Sequence, residues 1–170
     1  MTRVIWLASW PNGRHDAGQS DVGFPSEATP VTRSEILAFF DERQRAWAAR
    51  DPAGLAAGHA EHGTIESPIF GHREGRPAIR ESYRALFDMF PDWDFQGEPL
   101  LIDGDRVAQP FSAAATHTGT FMGLPGTNRR FKIQGVRLFT MADGLAQHER
   151  RMYDFTSLLI QIGVLKSKPA

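Results

Sequence analysis

His117, Glu66, Asp154 and Tyr153 have the side-chain types and settings to move a proton beside a carbonyl group. His117 ends a run in which Val107, Gln109, Phe111, Ala113, Ala115 and His117 alternate onto one strand face. Small residues at 113 to 115 leave room beside that face, and an imidazole titrates near neutrality. The plainer role for His117 is structural, tying down the turn that follows. Glu66 sits between Ile65 and Ser67-Pro68; in an apolar hollow its carboxyl would be raised toward neutrality and serve as an acid or base. On a solvent-facing strand it would instead pair with Arg73 or Arg76. Asp154 offers a second carboxylate, or caps a helix opening at Phe155 for about 1 kcal/mol. Tyr153 is a hydrogen-bond donor suited to holding an enolate oxygen.

Along the same last strand, His148, Arg150, Met152 and Asp154 share one face, and Glu149, Arg151 and Tyr153 the other. The reading preferred for Glu149 and Arg151 is an ion-paired sheet face, with a dimer contact as one use for it. A wall for a small molecule would come from Trp47, Phe70, Tyr83, Phe87, Trp93, Phe111, Phe121 and Phe139, which are core residues by default, with Met122 and Met152 as adaptable lining. His59, Glu61, His62 and His72 invite a metal, but no downstream pair completes a ligand set, so an exposed helix end is expected and no metal. No phosphate-cradling glycine loop, nucleophile elbow or dinucleotide fingerprint is present, and no cofactor is expected.

These side chains need a scaffold. The 170 residues suit one domain with a real core, at 41% apolar and 23% charged. Nineteen basic residues against 20 acidic give a formal charge of -1, no footprint for nucleic acid or an anionic membrane. The absence of cysteine removes disulfides and thiolate chemistry and fits the cytoplasm. Val4 to Trp10 is too short for a secretory core, and no run reaches the length of a membrane span.

Residues 1–30, rich in Gly, Pro, Ser and Asp, are expected to form a poorly ordered arm ahead of a domain over 31–170. Thr32 and Glu35 have capping-box spacing, and Ile36, Phe39, Phe40, Arg43 and Trp47 recur at helical spacing, so a helix runs to Ala49 or Arg50. A short helix is expected over Ala53 to Ala60, broken at Glu61-His62-Gly63, then an extended Thr64 to Pro68. Arg76 to Phe90 reads as a third helix, with Pro77 in its first turn. Four strands follow (Trp93 to Ile102, Arg106 to Phe121, and two flanking the Asp143-Gly144 turn) before a closing helix. Helices on one side of an antiparallel sheet make an α+β domain.

The set Ser67-Pro68-x-Phe70-Gly71, Pro91-Asp92, Asp103-Gly104-Asp105, Thr116-His117-Thr118-Gly119 and Asp143-Gly144-Leu145 resembles the SnoaL-like polyketide cyclase branch of the NTF2-like superfamily. The likeness covers residues 32 to about 165. It implies a cone: a strongly bent antiparallel sheet against about three helices, with an apolar cavity at its open end. It implies a homodimer through the sheet, and either cofactor-free cyclase or isomerase chemistry on a hydrophobic small molecule or a binding or assembly module on the same cone. The related cyclases carry a Glu-His-Trp-Asp-type run in the last strand. Here the run reads His148-Glu149-Arg150-Arg151, with arginine replacing the aromatic and the carboxylate.

Overall fold

The computed structural model describes residues 30–166. The expected arm therefore lies, except for Pro30, outside the described residues. The order is α1 (Arg33–Ala48), α2 (Pro52–Ala57), β1 (His59–Ser67), β2 (Gly71–Glu74), α3 (Gly75–Met89), β3 (Asp94–Gly97), β4 (Leu101–Asp103), β5 (Arg106–Thr116), β6 (Arg130–Ala142), β7 (Leu145–Tyr153) and α4 (Phe155–Gln161).

Local chemistry starts the helices. Thr32 and Glu35 close a reciprocal box on α1, the Thr32 amide donating to Glu35 Oε2 at 2.7 Å and the Glu35 amide to Thr32 Oγ1 at 3.3 Å. Asp51 accepts from the Ala53 amide at 2.9 Å ahead of Pro52, starting α2. Helix α1 buries Ile36, Phe40, Arg43 and Trp47, and α3 buries Ile79, Ser82, Tyr83, Leu86 and Met89. Each stripe follows the helical repeat and turns one face to the sheet.

The seven strands form one bent, unclosed sheet in the order β2-β1-β7-β6-β5-β3, with β4 also on β5. It is not purely antiparallel: β1 runs parallel to β7. The pair joins strands far apart in the chain, and nothing local sets its direction. The expected helix over Ala53 to Ala60 stops at Ala57, and His59 to Gly63 belong to β1 rather than to a break. The expected strand Trp93 to Ile102 is two short strands parted at Glu98, Pro99 and Leu100, since proline cannot donate to a ladder. Strand β5 stops at Thr116, short of Phe121.

Register places three rows across the inner face. Ile65, Glu149, Phe139 and Val107 form one; Arg151, Arg137 and Gln109 the next; Tyr153, Gly135 and Phe111 the third. Gly135 is where close approach demands glycine. A Cβ there would lie 2.3 Å from the Met152 carbonyl oxygen and 3.0 Å from the Phe111 ring. The core divides in two: a large aromatic cluster around Trp47, Phe90, Trp93 and Phe131, and a smaller one of Ile36, Phe40, Val107, Phe139, Met141 and Ala146.

Candidate functional site

A charged group sits where the two apolar clusters meet. Glu149 of β7 is fully buried, and Arg43, Arg137 and Arg151 close around it. Glu149 Oε2 accepts from Arg43 Nη2 at 2.7 Å and Oε1 from Arg151 Nε at 2.7 Å. Arg137 Nη1 stands 3.6 Å from Oε1, beyond a good hydrogen bond. His59 Nε2 lies 3.1 Å from Oε2; a carboxylate only accepts, so this nitrogen carries the proton. Arg43 and Arg151 both donate to the Tyr83 hydroxyl, the latter at 2.5 Å, and Arg137 donates to Gln109 Oε1 at 2.5 Å.

Burial pulls against every charge here. It would raise the Glu149 carboxyl, but Arg151 and Arg43, then His59 and Arg137, outweigh it and hold the group well below the usual carboxylate range. Burial lowers the His59 imidazole against its bond to Glu149, leaving it neutral at pH 7. It pushes the Arg137 guanidinium down to about 9, still cationic at neutral pH, whereas Glu149 overcomes desolvation at Arg151 and raises that group. The Arg137 guanidinium lies over the rings of Phe95, Trp47, Phe139 and Phe111, 4.4 to 6.0 Å from their centroids, so aromatic faces carry part of its solvation.

Beside this group lies a cavity of about 30 Å³. That is room for about two water-sized groups. Trp47, Trp93, Phe95, Phe111 and Phe70 supply much of its apolar wall, with Ser67, Arg137, Arg151 and Tyr153 as the polar part. The hollow expected from sequence is therefore small, and its ionisable groups stand on the inner wall. Burial pushes the Tyr153 phenol up to about 12, despite the neighbouring Arg151, so it is a donor at neutral pH.

Of the four residues singled out for proton transfer, only Tyr153 reaches this wall. His117 is buried in the turn after β5, its Nδ1 3.1 Å from Thr127 Oγ1 and its ring 5.9 Å from Phe90 and 6.0 Å from Phe121. It faces neither solvent nor the cavity, and burial lowers its imidazole. Glu66 is on the outer sheet face, paired with Arg150 at 3.6 Å rather than with Arg73 or Arg76. Asp154 is exposed and accepts from the Ser157 amide at 2.8 Å, capping α4. Of the expected lining, Trp47, Phe70, Trp93 and Phe111 are in the wall. Tyr83 joins the charged group instead, Phe87 packs behind Trp47, and Phe121 packs at an angle against Phe90 and edge-on to His117. Phe139 belongs to the smaller core, while Met122 and Met152 are 67% and 46% exposed.

Glu149 and Arg151 are ion-paired, as expected, but inside the chain's own core rather than on an open sheet face. His59 is buried in a strand beside Glu149, not at an exposed helix end. Sequence reasoning missed Arg137, although it lies in phase with Phe131, Ile133, Phe139 and Met141 on β6. Arg43 lies likewise in the apolar stripe of α1. A cation in an apolar phase was the available signal.

The SnoaL-like polyketide cyclase family model matches residues 39–162, nearly the whole domain just described. The chain belongs to the SnoaL-like family. Among solved structures it is similar to TsrD from Streptomyces laurentii, at 21% identity and a TM-score of 0.70 over 79% of this chain and 99% of that one. It is also similar to AclR from Streptomyces galilaeus, at 24% identity and a TM-score of 0.69 over 81% and 91% of the two chains. A protein with a ketosteroid isomerase-like fold from Catenulispora acidiphila matches at 19% identity and a TM-score of 0.63, over 77% and 97%. These likenesses show the shared NTF2-like fold. No curated protein matches the sequence. Among the described residues, no helix of this SnoaL-like chain is long and apolar enough to cross a membrane.

Proposed function

We propose that this SnoaL-like protein binds a hydrophobic carbonyl compound in its cone and acts on it without a cofactor, as a cyclase or a ketosteroid-isomerase-like enzyme does. The observation that carries this reading is the placing of donors in an apolar wall. Arg151, Arg137 and Tyr153 converge on one cavity otherwise built largely of aromatic rings. Such donors are worth most where negative charge develops on a carbonyl oxygen and water is scarce. Tyr153, held as a phenol, and Arg151, held in place by Glu149, would stabilise the enolate.

A second reading has its own support. The wall contains no carboxylate and no imidazole, so it offers no side-chain base of its own. A cone that only sequesters an apolar ligand would look the same. Exchange of the α-hydrogens of cyclic ketones such as 2-tetralone into deuterated water, followed by NMR, separates the two. Catalysed exchange that falls about 100-fold in Tyr153→Phe and is unchanged in His117→Ala supports the enzyme. Binding of the ketone without faster exchange leaves the binding module.

A further inference from the structure

Residues of the cavity wall carry hydrogen-bond donors with nothing to receive them. Among the described residues, the buried side-chain atoms lacking a hydrogen-bond partner include Trp47 Nε1, Trp93 Nε1, and Nε and Nη1 of Arg137, all on residues of this wall. Every one of these atoms can only donate. A buried donor without an acceptor is costly, and a wall whose residues carry four such atoms favours a ligand that brings acceptors.

Charge points the same way. Arg137 and Arg151 are direct neighbours across β6 and β7, an arrangement that like charges disfavour. Three guanidiniums surround Glu149, and among the described residues no other carboxylate lies within ion-pair distance of them. The excess positive charge is desolvated, which is tolerated when an anion arrives to pair with it. Arg137 is the least satisfied of the three: 1% exposed, too far from Glu149 for a good bond, and stacked on rings.

We propose that the cavity receives the carboxylate of a planar aromatic or conjugated acid, and that Arg137 sets the preference for a charged ligand over a neutral one. The existing space, about 30 Å³, suits the two oxygens of such a head group. Trp47, Phe95 and Phe111 stack on one another in the wall, at 4.7 Å and 17° and at 5.3 Å and 25°, an aromatic block against which a planar ring packs well. The body of the ligand enters past Ile69 and Phe70, half-buried between β1 and β2. This deepens the small-molecule reading by naming the ligand class, and it depends on the cone being a binding site.

The test titrates the full chain with 2-naphthoate and with 2-naphthamide, its neutral isostere, by calorimetry. Neither probe has an exchangeable α-hydrogen, so the result is independent of the ketone experiment. The naphthoate is expected to bind about tenfold tighter or more, the worth of one charge-assisted bond. In Arg137→Met that preference disappears while naphthamide affinity holds; in Arg137→Lys a reduced preference remains. Equal binding of both probes, no binding of the naphthoate, or a preference undiminished in Arg137→Met overturns the proposal. Should Arg137→Met fail to fold, the wild-type pair and Arg137→Lys still decide it. Ketone exchange with no preference for the naphthoate would keep the enzyme reading and sink this one; the reverse would do the opposite.

Discussion

Two carboxylate–guanidinium pairs involve neighbouring residues of β7 and behave differently, one lying within the strand and the other joining it to β1. Glu149 and Arg151 point inward, meet at 2.7 Å and are shielded from water. Glu66 and Arg150, on the outer face, stand 3.6 Å apart with side chains 47% and 60% exposed. The residue types are the same, so what separates the pairs is the medium. In water an ion pair gains little because solvent already screens both charges. Inside the protein each charge has lost its hydration and depends on its partners. The inner pair is thus part of a network that holds β7 to α1, α3 and β1, while the outer pair decorates a surface.

The sharpest way to break this contrast is to neutralise the inner acid. Glu149→Gln leaves three guanidiniums without their counter-ion and is expected to lower unfolding stability by about 3–5 kcal/mol, measured in urea. A loss below about 1 kcal/mol would mean that the two faces do not differ as described.

Acid should act on the same group next. The His59 and Glu149 pKa values both lie below their usual 6.5 and 4.5. A depressed folded value means that the unfolded chain binds protons first, so each contribution is complete above the usual value and is lost as pH falls through the folded one. The melting temperature should decline below about pH 6.5 and fall further below about pH 4.5. In His59→Gln the upper part of that decline should shrink; His117, lowered in the same direction, supplies what remains. A decline unchanged in that variant would detach His59 from the effect.

Smaller losses are expected where β7 faces water or ends. Asp154→Ala removes the cap of α4 and should cost about 1 kcal/mol, with no change in ligand binding. Glu66→Gln should cost less than about 1 kcal/mol, and adding salt should erase even that. A larger loss at Glu66 than at Asp154 would reverse the ranking that exposure predicts.

Much of the fold was legible because its signals are local. The capping box at Thr32, the stripes of α1 and α3, the Asp143-Gly144 turn and the alternation along β5 to β7 depend only on near neighbours in the chain. The cap at Asp154 was equally local. His59 to Gly63 misread as a helix end because its apolar spacing is weak, and the strand exists through its pairing with β2 and β7. His117 shows the limit of face arguments. Its strand face was read correctly, but the rings of Phe90 and Phe121 fill the space that small residues had suggested.

Residue types and their periods alone settled that this chain is an α+β domain, and which residues of β7 share a face. Only the folded packing decided which of those faces lost its water, that Arg43, His59 and Arg137 would gather on Glu149, and that the remaining hollow would be lined by donors. The reason is physical. Alternation sorts side chains onto two sides of a strand, but the dielectric around a charge, and the acceptor it meets, come from segments up to 106 residues away in the chain.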